Sequence, residues 1–136
     1  MREILFKAKR KDDGEWVEGY YMPRPNNPGK LRNYIVVVSQ EKWYEIVPET
    51  LCQYTGIKDK NSQKIWENDI IKHERSDTTG AVKWFKEDYV GWCVDDVQIN
   101  EQQFTEEMWN ECDVIGNIFD DPELITKPRL GGLNEI

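Results

Sequence analysis

Residues 53–72 constrain the fold more than any other part of the chain. Short apolar runs, at residues 65–66 and 70–71, alternate here with polar corners at residues 59–61 and 67–69. Asp and Asn favour corners because their side chains hydrogen-bond to nearby backbone, and paired β-branched and aromatic residues favour strands. The segment therefore predicts strand, turn, strand, corner and strand, which is typical of small β-barrels. It carries no catalytic motif.

The rest of the chain also predicts short strands. Asp13-Gly14 is a strong hairpin signal between strands at residues 2–9 and 15–21. Met22–Arg32 is expected to be a loop, because proline cannot donate to a strand ladder. Further strands are expected at residues 34–38, 43–47, 81–85, 89–94 and 113–119, with a weaker one at 97–104, and turns at 76–80 and 86–88. These segments indicate an all-β protein of barrel or sandwich type.

Helix is expected in two short segments. Thr105–Glu111 predicts one helical turn that Thr105 caps, with two acids in its first turn. Asp121-Pro122 opens a turn or a second short helix, because proline suits the first helical position. Residues 127–136 predict a loose tail.

Length and composition favour one soluble, cytoplasmic domain. The chain has 136 residues and a net charge of −8, which gives no general attraction to phosphate. No apolar run approaches the length of a membrane span, and the start of the chain lacks the apolar core of a signal peptide. The three cysteines are widely spaced and are expected to be buried free thiols.

Catalytic, metal and cofactor sites are not expected. The one histidine, His73, follows an apolar strand without a recognisable nucleophile motif, and we expect it at the surface. One histidine and scattered cysteines do not give the spacing of a zinc site. The acid pairs are expected at turns, and no glycine-rich phosphate loop is present. The acid pairs are Asp12-Asp13, Asp95-Asp96 and Asp120-Asp121.

Aromatic and basic residues around the central segment form the candidate binding set. Single-strand-binding barrels combine aromatic side chains with Lys and Arg. The candidates are Tyr54, Lys58, Lys60, Lys64, Trp66, Lys72 and Arg75. Neighbouring acids largely neutralise this stretch, so a solvated turn is the ordinary interpretation. Most of the strand tryptophans (16, 66, 84 and 92) are expected in the core. Asp69 is expected to accept backbone hydrogen bonds across its corner.

Four ordered blocks of sequence resemble the YopX-like proteins of phages and prophages. The blocks are Gln53-Tyr-Thr-Gly-Ile-Lys-Asp-Lys-Asn61, Ile65-Trp-Glu-Asn-Asp-Ile-Ile71, Arg2-Glu-Ile-Leu-Phe-Lys-Ala8 and Val114-Ile-Gly-Asn-Ile-Phe-Asp-Asp-Pro-Glu-Leu124. Ser62 and Asn68 stand where the family usually has glycine, and asparagine tolerates left-handed backbone angles. The resemblance covers roughly residues 2–125.

The resemblance implies a fold and an origin. The fold is all-β and multi-sheet, with a partial SH3-like barrel and one or two short helical turns. The domain spans residues 1–125, and residues 126–136 form a flexible C-terminal tail. The origin is a phage or prophage. No activity, cofactor or catalytic residue follows from the resemblance.

Three functions remain open on the sequence. The first is a non-enzymatic binding or accessory module that binds a host or phage protein, or a second copy of itself, with strand addition at edges near residues 22–32. The second is a nucleic-acid-binding β-barrel, which the net charge of −8 disfavours. The third is an enzyme, which would need a pocket where acids and His73 converge.

Overall fold

A computed structural model describes residues 4–26, 29–85, 91–96 and 100–125. The chain divides after Gly56 into two compact units. The strands are β1 Phe6–Lys9, β2 Trp16–Asn26, β3 Lys30–Val37, β4 Lys42–Glu45, β5 Cys52–Lys58, β6 Lys64–Trp66, β7 Asp69–His73, β8 Thr78–Phe85, β9 Gly91–Asp96, β10 Asn100–Gln102 and β11 Asp113–Asn117. The α-helix, α1, is Glu106–Glu111, and short 3-10 turns occupy Val38–Gln40, Pro48–Thr50 and Pro122–Ile125.

These strands form two antiparallel sheets, in the orders β4-β3-β2-β1-β5-β6 and β10-β9-β8-β7-β11. The all-β, multi-sheet prediction is therefore confirmed, as are both short helical segments. Thr105 caps α1 as expected, since its Oγ1 accepts the backbone N–H of Met108 at 3.2 Å. Single-domain organisation over residues 1–125 stays a prediction. The predicted tail and the 86–88 turn lie outside the described residues.

The predicted first hairpin is present as β1 and β2. Phe6 lies opposite Gly19 and Lys9 lies opposite Trp16. The backbone N–H of Gly14 donates to the carbonyl of Arg10 at 3.0 Å, and Gly14 has φ 75°. Glycine adopts this left-handed conformation without a steric penalty, so the Asp13-Gly14 pair can form the turn between β1 and β2.

The predicted loop Met22–Arg32 is wrong, because β2 and β3 extend through most of it. Pro23 lies opposite Asn33 and Pro25 lies opposite Leu31 in a continuous antiparallel ladder. Proline is tolerated because, among the described residues, none pairs with β2 on the β1 side beyond Gly19. Two prolines two residues apart place both nitrogens on the same side of the strand. That side faces away from β3, because Asn33, opposite Pro23, directs its carbonyl to the N–H of Ile46 and not to β2.

In the first unit, the residues that follow β1 meet those that follow β4, although β1 also pairs with β5. Beyond β1 and β4, Arg10 bridges to Ile46, and the N–H of Lys11 donates to the carbonyl of Glu45 at 2.9 Å. The N–H of Val47 donates to the carbonyl of Lys9, also at 2.9 Å. These bonds curl β1–β4 around a small core of Ala8, Ile35 and Ile46. The curl agrees with a partial barrel, while its SH3-like character stays a prediction.

The second unit packs its sheet and α1 around a separate core. The buried members are Ile65, Ile71, Val82, Val94, Phe104, Trp109 and Cys112. Of the four strand tryptophans expected mostly in the core, Trp66 alone is fully buried, and Trp84 is 46% exposed. Trp92 is half-buried and packs against this core, so the expectation holds for Trp66 and Trp92 and is wrong for Trp84. Trp109, from the short helix, fills the core instead.

Two buried carboxylates hold the corners of the central segment. Oδ1 of Asp59 accepts the backbone N–H groups of Asn61 and Gln63 at 2.8 and 2.9 Å, and Oδ2 accepts that of Val114 at 3.1 Å. Asp69 Oδ2 accepts the N–H of Trp66 at 2.9 Å, as predicted.

The residues that replace the family's glycines have left-handed backbones. Ser62 has φ 63° and Asn68 has φ 72°. The polar corners of the sequence are therefore real turns. The pair Asp95-Asp96 is an exception, because both residues lie inside β9 rather than at a turn.

Replacing Asp59 by alanine is expected to destabilise the fold by about 3 kcal/mol, since three backbone donors lose their acceptor at roughly 1 kcal/mol each. Asp69→Ala is expected to cost about 1 kcal/mol or more. Urea denaturation measures both. The exposed Glu18→Ala is the control, and an Asp69→Ala midpoint equal to that of the wild-type protein would refute this role.

Candidate functional site

The predicted binding set does not assemble as one surface. Tyr54 and Trp66 are buried, with 6% and 4% of their surface exposed, so neither offers a face on which a base stacks. Lys60, Lys72 and Arg75 do line one cleft of about 300 Å³ in the second unit. Lys58 is exposed and Lys64 is half-buried, and neither lines this cleft.

Acids balance the bases of this cleft. Arg75 Nη2 donates to Glu111 Oε1 at 2.7 Å, and Lys60 Nζ lies 3.6 Å from Asp113 Oδ2. Glu74 also lines the cleft. Hydrogen bonds from His73 and Arg75 lower the pKa of Glu111, and Glu111 in turn raises the pKa of Arg75. The cleft therefore offers no net positive charge to a polyanion.

His73 is buried rather than at the surface, which corrects the sequence expectation. It ends β7 with 2% of its surface exposed. Nε2 lies 2.8 Å from Glu111 Oε1, and Nδ1 lies 2.6 Å from Ser76 Oγ. The chain of contacts continues through the Thr78 hydroxyl, 2.8 Å from Ser76, to the side chain of Gln102 at 2.9 Å. This polar chain ties the β7–β8 turn to α1 and β10.

Ser76, His73 and Glu111 are residue types of a hydrolase triad, and sequence reasoning missed two of them. No sequence motif marks them, because Glu111 lies 38 residues from His73. The geometry is not that of an active site. Ser76 is not among the residues lining the cleft, and the N–H of Asp77 donates to the Glu74 carbonyl instead of pointing at a substrate oxygen. The contacts brace a turn.

All three cysteines are buried free thiols, as predicted. Cys112 Sγ donates to the carbonyl of Trp109 at 3.1 Å. Burial, and then the nearby carboxylates of Asp59 and Asp113, raise the pKa of Cys112 to about 12. The described residues contain no cluster of His, Cys, Asp and Glu suited to a metal ion.

The outer face of β2, β3 and β4 in the first unit carries a group of exposed aromatic side chains. Residues directly opposite in a sheet share a face. Tyr20 lies opposite Val36, which lies opposite Trp43, and Met22 lies opposite Tyr34. We call this set (Tyr20, Met22, Tyr34, Val36 and Trp43) the aromatic face.

The aromatic face is exposed and braced by contacts between its members. Tyr20 is 53% exposed, Trp43 45% and Met22 38%. The rings of Tyr34 and Trp43 meet edge to face at 5.6 Å, and the Arg24 guanidinium lies 5.1 Å from the centre of the Trp43 ring. Sequence reasoning missed this face because Met22 fell in the expected loop. Alternation within β2 was the signal that could have found it.

Comparison with known proteins places the chain in a family. The model of the family described as YopX protein matches residues 5–126. The chain belongs to the YopX family. The family resemblance of the sequence blocks is thereby confirmed, and membership of the YopX family assigns no activity.

The YopX fold is shared with a solved structure. This is the crystal structure of protein EF1440 from Enterococcus faecalis, with TM-score 0.50 and 18% sequence identity. The likeness covers 93% of this chain and all of that chain, and at this identity it shows the fold alone. No curated protein matches the chain. In the described part of the chain, no helix is long and apolar enough to cross a bilayer.

Replacing Glu111 by glutamine is expected to destabilise the protein near pH 7 and to matter little in acid. A pKa that folding lowers means that ionised Glu111 stabilises the fold above its unfolded pKa. That contribution is lost as the pH falls through the folded pKa. Urea midpoints of the wild-type protein and Glu111→Gln at pH 7 and pH 3 measure this. An equal difference between the two urea midpoints at pH 7 and pH 3 would contradict this prediction.

The cysteines are expected to resist thiol reagents in the folded state. With a pKa of about 12, Cys112 has almost no thiolate at pH 8, and all three thiols are buried. Ellman's reagent at pH 8 should label less than one thiol per native chain and three in guanidinium chloride. Rapid labelling of Cys112 in the native chain, identified by mass spectrometry, would contradict this.

Proposed function

We propose that this YopX protein is a non-enzymatic binding or accessory module that binds a partner protein through the aromatic face of its first unit. The observation that carries the proposal is the exposure of Tyr20, Met22 and Trp43 on one face of a sheet whose opposite face forms a core. A soluble domain gains stability by burying such side chains. Their exposure together on one face is typical of an interaction site.

The chemistry of the aromatic face favours a protein partner. Tyrosine, tryptophan and arginine dominate the energetics of protein interfaces, and methionine is also enriched there. The stacking of Arg24 on Trp43 and the edge contact with Tyr34 hold Trp43 in place before binding. A pre-positioned side chain loses less conformational entropy when it is buried.

A non-enzymatic role is supported by the polar residues of the second unit. The hydroxyl of Ser76 lies within hydrogen-bond distance of both His73 and Thr78, and the neighbouring backbone N–H already has an acceptor. Four of the charged side chains of the cleft form two ion pairs, Arg75 with Glu111 and Lys60 with Asp113. These side chains stabilise the fold, and a binding role at the aromatic face does not require them to contact a ligand.

We also propose a phage or prophage origin, action in the bacterial cytoplasm and an SH3-like first unit. The family resemblance supports the origin. Three buried free thiols suit a reducing compartment. The curled four-strand sheet of the first unit suits an SH3-like partial barrel.

Nucleic acid is not our choice of ligand for the stretch from Lys58 to Arg75. The two aromatic members of the predicted set, Tyr54 and Trp66, are buried. The three bases that line the cleft share it with three acids. Neither stacking nor a net positive potential is available there.

Removing the aromatic face is expected to abolish capture of a specific partner. Immobilised wild-type protein and the variant Tyr20→Ala/Trp43→Ala are incubated with lysate of phage-infected bacteria, and bound proteins are quantified by mass spectrometry. Loss of two exposed aromatic anchors is expected to weaken binding by at least 100-fold, since such residues cost roughly 2 kcal/mol or more each when truncated.

Trp84→Ala is the matched control, because Trp84 is 46% exposed but lies in the second unit. A partner supports the proposal only if Trp84→Ala retains it and Tyr20→Ala/Trp43→Ala loses it. Binding of the same proteins by all three forms would refute the aromatic face as the site.

A further inference from the structure

β4 has an open edge on the side away from β3. The N–H of Ile46 donates to the carbonyl of Asn33, on the β3 side. Because successive residues of a strand direct their backbone groups to opposite sides, those of Trp43 and Glu45 point away from β3. The Glu45 carbonyl accepts the N–H of Lys11 there, at 2.9 Å. In the described part of the chain, no residue pairs with the backbone of Trp43 on that side.

The segment that follows β1 leaves this edge uncovered. It runs beside β4 as far as Lys11 and then turns, since the N–H of Gly14 donates to the carbonyl of Arg10. Residues 12–14 therefore lead back into β2 instead of continuing beside Trp43. The whole turn and the whole of β4 belong to the described part of the chain. The fold thus leaves a place for one more strand beside Trp43.

A cleft of about 330 Å³ lies along the open edge. Its lining residues are Lys11, Asp12, Trp43, Tyr44 and Glu45. Trp43 is 45% exposed on the outer face, and Tyr44, the next residue, lies on the opposite face of the strand. The cleft therefore offers an aromatic side chain on each face of β4, with the unpaired backbone groups of Trp43 between them.

The charged side chains that line the cleft already have partners of opposite charge. The Arg10 guanidinium lies 4.4 Å from the centre of the Tyr44 ring and donates to the Asp12 carboxylate at 2.9 and 3.1 Å. Lys11 Nζ is 3.5 Å from Glu45 Oε2. Backbone groups and aromatic rings, and not charges, are therefore what the cleft offers to a ligand.

We infer that β4 binds an extended, uncharged segment of the partner protein by strand addition, with the backbone of the segment paired to that of Trp43. This inference rests on the proposed function and names the part of the partner that is bound. In strand addition, backbone hydrogen bonds give affinity and alternate side chains give specificity. The residue opposite Trp43 shares the outer face with it, so a large apolar side chain there extends the aromatic face.

The β4 edge suits a partner strand better than the edge of β2 near residues 22–32, where the sequence predicts strand addition. Pro23 and Pro25 have no N–H to donate to a partner strand. β4 contains no proline, and Trp43 offers both a donor and an acceptor. Strand addition therefore remains the mode, but its place moves to β4.

A foreign segment also suits the β4 edge better than a second copy of this chain does. Antiparallel pairing of two β4 strands at Trp43 would place Glu41 of the second copy beside Glu45. Lys11 already occupies that place, because its N–H is bonded to the Glu45 carbonyl. A segment that ends or turns just beyond Trp43 avoids this overlap.

A displayed library of random peptides about eight residues long, enough for one strand, supplies the probe. Peptides are selected on the immobilised full-length chain, and the tightest binder is synthesised with a fluorescent label for anisotropy. The deciding variant carries the α-hydroxy analogue of tryptophan at position 43, which replaces the backbone N–H by an ester oxygen and keeps the indole. Loss of this one hydrogen bond should weaken binding roughly tenfold.

Hydrogen exchange provides a second readout. The amide of Trp43 should exchange roughly tenfold more slowly when the peptide saturates the protein, because a new hydrogen bond protects it. A peptide that is N-methylated at alternate residues, on the edge that pairs, should bind more weakly than the unmodified peptide. Trp84→Ala, in the second unit, is the control and should bind the peptide like the wild-type protein. Circular dichroism confirms that each form is folded.

Three results would overturn the inference. The ester form could bind the peptide as tightly as the wild-type protein, or the selection could yield no peptide that the ester form binds more weakly. The chain could instead form a concentration-dependent dimer that the ester abolishes, which would assign the edge to a second copy. The lysate experiment with Tyr20→Ala/Trp43→Ala tests the proposed function separately, because the ester form keeps both side chains.

Discussion

The backbone hydrogen bonds between residues 9–11 and residues 45–47 decide what the first unit presents to solvent. They join the residues that follow β1 to those that follow β4 and so curl β1–β4 around Ala8, Ile35 and Ile46. Once one face of a sheet is turned inward, strand alternation turns every other residue outward. The exposure of Tyr20, Met22 and Trp43 follows from this closure, and the aromatic face depends on it.

The second unit depends on a different interaction, the burial of carboxylates beneath its turns. Asp59 accepts backbone hydrogen bonds from its own turn and from β11, which lies more than fifty residues later. The buried His73 links α1, β10 and the β7–β8 turn in the same way. Polar side chains in this unit therefore act mainly as internal connections, and the two units differ in what they offer to a ligand.

The corrections to the sequence expectations have a common physical cause. Tyr54, Trp66 and His73 are buried, and no local sequence pattern indicates that burial. His73, for example, contacts Phe104 and Glu111, which lie more than thirty residues later in the chain. The prolines of β2 lie in a strand because no described residue pairs with β2 on the β1 side beyond Gly19, so their missing N–H groups cost no ladder hydrogen bond among the described residues. In each case the decisive neighbour is remote in sequence, and periodicity and turn chemistry describe near neighbours alone.

Local sequence patterns correctly predicted the strands of the central segment, the Asp13-Gly14 hairpin and the cap of α1. They also predicted the role of Asp69, the free cysteines and the family. Each of these depends on residues within a few positions of one another, or on blocks that can be compared directly. Which aromatic side chains are exposed and which acid meets His73 was decided by the tertiary structure alone. Those properties depend on how strands far apart in the chain pair and curl.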